Sequence, residues 1–249
     1  MRSDVSSRAL CTSGSNAGQV GTGRVVTALR SDVSAWIRVG GASSASRASR
    51  ASASSTSAGA RSSSESTRAL AWLVNRTDLL VAGLRDHALC EALTNVTWRS
   101  ADAQLACYSA NGTRYVRHMD NVCSANGVGK QCNGRRLTLV YYLNERSADP
   151  SHGALRLFLP GPPSSSPLMD LEPLLDRLVV FFSDERVPHA VLPTGPAQER
   201  SAVTLWYFDH AELERASAQR TDSDEGKPPS MPSLSAVPSR GDVCSDEEE

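Results

Sequence analysis

The sequence predicts an α+β fold in which a supporting helix packs on one sheet of a two-layered β structure, a sandwich or jelly roll. Two observations carry this expectation. Residues 67 to 94 place apolar side chains at helical spacing, and from Gln104 onward the apolar period shortens to two over at least seven short runs broken by Gly, Pro, Asn and Ser. A helix followed by a series of strands puts helix and sheet in separate layers.

In chain order, "RVVTA" (24 to 28) and "AWIR" (35 to 38) read as short strands. Residues 42 to 66 contain no large apolar side chain, so they are expected to be a disordered, serine-rich insert. "TRALAWLVNRTDLLVAGLRDHALCEALT" (67 to 94) is read as one helix, or as two broken near Asn75 to Asp78, with Leu70, Leu73, Val74, Leu80, Val81, Leu84 and Leu89 on its apolar stripe. The strand runs that follow are "QLACY", "RYVRHMD", "RRLTLVYYLN", "GALRLFL", "DRLVVFFS", "HAVLP" and "SAVTLWYFD". From Ala216 to Glu249 the chain is rich in Ser, Pro and acid and is expected to be a disordered acidic tail. "RSDVS" occurs twice, at Arg2 and at Arg30, and nothing else repeats.

Composition excludes several classes. A formal charge of −1 over 249 residues argues against a nucleic-acid binder or a binder of acidic membranes. Six cysteines without a C-x-x-C pair argue against a disulfide framework or a zinc site and favour reduced thiols, hence a cytoplasmic or nuclear location. No apolar run reaches membrane-spanning length, so the sequons at Asn75, Asn95 and Asn111 are expected to be unused. Arg240-Gly241-Asp242 is read as a chance tripeptide in the tail.

The candidate chemistry starts in "RYVRHMDN" (114 to 121). In a strand, His118 and Asp120 leave on one face. Met alone, such a pair is commonly a polar strand end. With a second histidine it becomes a two-histidine, one-carboxylate set that leaves positions open on a non-haem Fe(II) ion. His152 lies in a turn, His210 opens the terminal helix, and His87 sits within the helical run. His189 follows one apolar strand and begins the next, where a sheet could bring it beside the first pair. Arg200, at the head of "SAVTLWYF", would need an anion if buried, and a carboxylate matches its planar fork.

"YVRHMDN", "LVYYLNE", "GALRLF", "LEPLLDRLVVFFSDERVPHAV" and "SAVTLWYFD", in this order, with "LRSDVSAWI" upstream, resemble the prolyl hydroxylase domain family of Fe(II)/2-oxoglutarate dioxygenases, from about Val20 to Glu214. The resemblance implies a double-stranded β-helix spanning residues 20 to 215, after an atypical segment at 1 to 19 and before the tail at 216 to 249. It implies that His118, Asp120 and His189 bind Fe(II). It implies that Arg200 pairs with the distal carboxylate of 2-oxoglutarate, with Tyr142 as a second donor. Tyr108, Leu155 and Trp206 would line the cosubstrate pocket, and Arg135 or Arg136 would stand near the peptide substrate. The implied reaction hydroxylates proline C4 in a regulatory protein with O2 and 2-oxoglutarate, giving succinate and CO2, with L-ascorbate in support. The implied partner is a proline-containing protein, met by a monomer. The loop "NVCSANGVGKQCNGR" is longer than the family's, which leaves substrate choice open. The family's first helix and strand have no counterpart before Gly18. The alternatives are therefore a 2-oxoglutarate oxygenase with another protein target, or a truncated, inactive peptide-binding module.

Overall fold

A computed structural model describes residues 32–38, 57–87, 91–123, 132–221 and 234–238. Its strands are β1 (Asp32–Arg38), β2 (Val96–Ser100), β3 (Asp102–Tyr108), β4 (Tyr115–His118), β5 (Arg135–Tyr142), β6 (Leu155–Phe158), β7 (Pro167–Leu171), β8 (Leu178–Phe182), β9 (His189–Val191), β10 (Arg200–Asp209) and β11 (Leu234–Ala236). Two α-helices, α1 (Ser57–Asp86) and α2 (His210–Thr221), and a 3-10 turn at Glu91–Leu93 complete the described elements. No described helix is long and apolar enough to cross a membrane.

The strands form a seven-stranded and a four-stranded sheet. In the larger, β10 is the spine. One edge pairs first with β3 and then with β2, the other with β5, and β8 follows β5. β1 lies outside β3, and β11 outside β2. The smaller sheet runs β4-β9-β6-β7. The two sheets are a double-stranded β-helix without closing into a barrel, as the strand periodicity and the resemblance led us to expect.

Alternation sorts the large sheet into two faces. Leu137 and Leu139 of β5 and Val203, Leu205 and Tyr207 of β10 share one core with Val74, Val81 and Ala82 of α1, so the helix covers the outer face. Val140, Tyr142 and Ala202 point the other way and pack with Leu155 and Leu157 of the small sheet. Burial on both faces is why "SAVTLWYF" reads as a nearly continuous apolar run.

A buried polar network fastens α1. Arg99 Nε donates to Asp78 Oδ1 at 2.8 Å, and the Tyr207 hydroxyl donates to the same oxygen at 2.6 Å. Burial lifts Asp78 above the usual carboxylate range even with the Arg99 guanidinium beside it. Asp78→Ala would strand that guanidinium in the core, and loss of one partner of a buried pair costs about 3–5 kcal/mol. Thermal melting should show a drop of that size; a melting temperature near wild type would mean that packing alone holds α1.

Several expectations are corrected. The helix is continuous through Asn75 to Asp78 and ends at Asp86 rather than Thr94. Leu80 is exposed instead of lying on the apolar stripe. Residues 57–66, expected to be disordered, are the first turns of α1. "AGARSSSE" is proline-free and holds two alanines, an arginine and a glutamate, and extending an existing helix costs far less than nucleating one. The tail is not featureless from Ala216: α2 runs on to Thr221, and Leu234–Ala236 adds a strand to β2, with Val237 buried behind it. Cys123 and Cys132 form a disulfide, against the expectation of reduced thiols throughout. β2 and β7 were not foreseen. β7 is exposed along almost its whole length and opens with Pro167, the residue a sheet accepts at an edge. The strand expected at residues 24 to 28 and most of the serine-rich insert lie outside the described residues.

Candidate functional site

His118 closes β4, and His189 opens β9 as its direct cross-strand partner. The register therefore sets the two imidazoles side by side, with ring centroids 4.2 Å apart. Asp120 lies two residues past His118, just beyond the strand, and still reaches the same space. Its Oδ1 is 3.6 Å from His118 Nε2 and its Oδ2 is 3.9 Å from His189 Nε2. Among the described residues these three form one of two clusters able to hold a metal ion; the other is Cys123, Cys132 and Glu212, where the cysteines are already joined.

Both histidines are oriented from behind. His118 Nδ1 lies 2.9 Å from the Val116 carbonyl, and His189 Nδ1 lies 3.1 Å from the Val187 carbonyl. A carbonyl only accepts, so each Nδ1 carries a proton and each ring is turned with Nε2 toward the cluster. Tyr115 meets the His118 ring edge-on at 4.0 Å, and Phe181 meets His189 at 4.7 Å. Burial pushes the His189 imidazole down to about 4, further than the Asp120 carboxylate can pull it back, so it is unprotonated near neutrality. Burial pushes the Asp120 carboxyl up, but the imidazoles of His118 and His189 and the Arg135 guanidinium outweigh it and hold it well below the usual carboxylate range. Two imidazoles and a carboxylate on one side of a cavity suit a divalent iron with positions left open.

Arg200 begins β10, opposite Tyr108 of β3. It is buried, and its Nε has no hydrogen-bond partner. Its guanidinium lies 4.9 Å from the Tyr108 ring centre and 5.1 Å from that of Tyr142, and Nη2 is 3.4 Å from the Tyr142 hydroxyl. A buried cation walled by two aromatic rings, with a donor unused, is a seat for a carboxylate. Leu155, Tyr108 and Trp206 line the same cavity with the triad and Arg200; Tyr142 sits behind Arg200 rather than on the wall. The cavity holds about 270 Å³, sized for a small dicarboxylate. Two neighbouring candidates in the sequence, Arg156 and Arg177, are engaged elsewhere, Arg156 with the Asp170 carboxylate and Arg177 with the Glu172 carbonyl.

Gly153 supports this end of the cavity. It sits at φ 67°, and a Cβ there would lie 3.2 Å from Arg200 Cδ. Gly153→Ala should therefore strain the turn and displace the guanidinium, raising the 2-oxoglutarate requirement while metal affinity stays at its wild-type value. Equal 2-oxoglutarate dependence in the variant would show that the turn does not position Arg200.

Arg135 and Arg136 are divided by an irregularity in β5, where the pairing with β10 shifts register between Leu137 and Arg135 and brings Arg135 to the cavity side. Arg135 faces the cavity, stacks over the Trp206 ring at 4.1 Å and reaches the Asp120 carbonyl at 3.5 Å. Arg136 faces away and is locked among Asp209 at 3.0 Å, Glu212 at 2.7 Å and Asp184 at 3.6 Å, so its role is structural and the expectation of substrate contact fails for it.

With this geometry in view, the description of the 2OG-Fe(II) oxygenase superfamily matches residues 103–208. The matched segment runs from β3 to β10 and contains His118, Asp120, His189 and Arg200. The chain is 42% identical over 123 residues to the hypoxia-inducible factor prolyl hydroxylase of Caenorhabditis elegans, a match covering 49% of this chain and 15% of that protein. It is 47% identical over 119 residues to human prolyl hydroxylase EGLN3, covering 47% of this chain and 44% of that protein. The chain therefore spans less than half the length of either relative. Among solved structures, a prolyl hydroxylase from Trichoplax adhaerens, in complex with a hypoxia-inducible factor oxygen degradation domain peptide, superposes with a TM-score of 0.53 at 28% identity, covering 80% of this chain and 73% of that one.

The oxygenase cavity also contains residues that were not singled out in the sequence: Gln104, Tyr115, Thr138, Phe181 and Thr204. A signal existed for three of them. Thr138 precedes Tyr142 by four on β5, Thr204 follows Arg200 by four on β10, and Gln104 precedes Tyr108 by four on β3, so each shares the face of a residue already chosen.

Proposed function

We propose that this chain is an Fe(II)- and 2-oxoglutarate-dependent dioxygenase that hydroxylates proline at C4 in a regulatory protein, with L-ascorbate maintaining the ferrous state. The observation that carries the reading is the buried Arg200, with an unused donor, in the same cavity as a His/Asp/His triad. Its support comes also from relatives named as hypoxia-inducible factor prolyl hydroxylases.

The residues divide the work by position. His118, Asp120 and His189 would hold iron, with both imidazoles presenting Nε2. Arg200 would take the distal carboxylate of 2-oxoglutarate, with the Tyr142 hydroxyl accepting from its Nη2 and holding the guanidinium, so that the other end of the cosubstrate points back along the cavity toward the triad. Bound together, the two groups supply oxidation of a C–H bond by O2, with 2-oxoglutarate converted to succinate and CO2. Tyr108, Leu155 and Trp206 exclude water from the cosubstrate. Arg135, stacked on Trp206, would meet the substrate backbone, because a guanidinium donates to peptide carbonyls and reaches the cavity from the neighbouring strand.

The test is incubation of the full chain with Fe(II), 2-oxoglutarate, ascorbate and a peptide from a hypoxia-inducible factor oxygen degradation domain. The reading expects one oxygen atom gained on proline for each succinate formed. Succinate formed without hydroxylation of that peptide or of other proline peptides would indicate a different target, and no succinate at all would contradict the assignment.

A further inference from the structure

Asp120 is held in a way that the triad alone does not require. The Thr138 hydroxyl donates to Asp120 Oδ2 at 2.7 Å, and the Trp206 indole N–H donates to the same oxygen at 3.0 Å. Thr138 and Trp206 are direct cross-strand partners on β5 and β10. The large sheet therefore reaches across the cavity with an adjacent pair of donors to grip a side chain presented by the small sheet. Asp120 needs such a grip. It stands past the end of β4, where no strand ladder fixes its orientation, and only the Asn133 amide at 2.9 Å and Arg135 at 3.5 Å touch its carbonyl.

Proton counting fixes the direction of each contact. An ionised carboxylate only accepts, so the single Thr138 proton goes to Oδ2. The buried Ser183 hydroxyl, 2.8 Å from Thr138 Oγ1, must then donate to Thr138. Each carboxylate oxygen offers about two lone-pair directions. On Oδ2 both are taken by Thr138 and Trp206; Oδ1 is left facing the histidines, 3.6 Å from His118 Nε2.

We infer that Thr138 and Trp206 are positioning residues that reserve Oδ1 of Asp120 as the one oxygen offered to the cation, so that the carboxylate takes a single coordination position and leaves the others open for cosubstrate and O2. This rests on the metal-site reading above. Second-layer partners of metal ligands typically contribute 10- to 100-fold in affinity.

The test uses the full chain and Co(II), a divalent ion stable in air, with affinity read by calorimetry and coordination read from the Co(II) absorption spectrum. Thr138→Val keeps the shape and removes the donor. It should weaken Co(II) binding by about 10- to 100-fold and change the intensity of the Co(II) bands, because an unrestrained carboxylate can chelate through both oxygens. Thr138→Ser should restore affinity and spectrum. Trp206→Phe, which removes the other donor, should shift both in the same direction and decides the matter if Thr138→Val does not fold. A merely structural role would lower the melting temperature of the metal-free chain and leave affinity and spectrum unchanged. Wild-type affinity and spectrum in both donor-deleted variants would overturn the inference while leaving the metal site standing. Failure of the wild-type chain to bind Co(II) would overturn both.

Discussion

His118→Ala is expected to reduce iron binding and succinate formation to background while the chain keeps its fold. In the proposed site the imidazole would contribute one of three metal donors, and two donors do not hold a labile divalent ion in an open site. The fold does not depend on it: His118 ends a four-residue edge strand, and its polar contacts are local, to the Val116 carbonyl in the same strand and to Asp120 two residues on. His189→Ala should match it in turnover and cost more stability, because His189 is buried between Phe181 and His118. Calorimetric iron titration, succinate assay and thermal melting of each variant check this. Wild-type turnover in His118→Ala would remove the triad from the mechanism.

Arg200→Ala is expected to raise the 2-oxoglutarate requirement by about ten- to a hundredfold, since charge-assisted hydrogen bonds of this kind contribute roughly 1.5–3 kcal/mol. Arg200→Lys should recover part, because an ammonium keeps the charge and loses the fork. Iron affinity should hold, as Arg200 offers no ligand atom and acts on His189 through its charge alone. The variant even removes a cost in the empty protein, where the guanidinium is buried with an unused Nε. Unchanged 2-oxoglutarate dependence would mean that the anion sits elsewhere, and Arg156 and Arg177 do not offer the alternative, being tied to Asp170 and Glu172.

Much of this site could be read in the sequence because a strand is a two-state ruler. Arg200 with Trp206 six residues on falls on one face by parity, whereas Asp120 lies past the end of β4 and meets His118 without a strand ladder to place it; blocks of family-like sequence supplied their roles. Register was not readable: the opposition of His118 to His189, and of Thr138 to Trp206, is set by pairing between distant segments. The fold-level failures have a common cause. Residues 57–66, 217–221 and 234–236 are individually too polar to order themselves, so composition assigned them to disorder, yet each is an extension of an element that packing elsewhere had already formed. The Cys123–Cys132 bond escaped notice because its spacing lacks a familiar motif; Asn121 and Asn133 bring the cysteines together by hydrogen-bonding across the neck of that loop. Arg135 and Arg136 are adjacent and chemically alike, and the register shift where β5 pairs with β10, which strand parity does not reveal, divides them into a cavity residue and a buried cation held by acids.

The account stands on iron and 2-oxoglutarate sharing one cavity, held by the triad at one end and Arg200 at the other. The direct measurement is an oxygen-free titration of the Fe(II)-loaded chain with 2-oxoglutarate, followed by visible absorption. A ligand bound to the metal through its 2-oxo acid end should produce a metal-to-ligand charge-transfer band that saturates at one equivalent, is lost in His118→Ala and requires more 2-oxoglutarate in Arg200→Ala. No band with Fe(II) and saturating 2-oxoglutarate, or the same titration curve in Arg200→Ala as in the wild type, would contradict it.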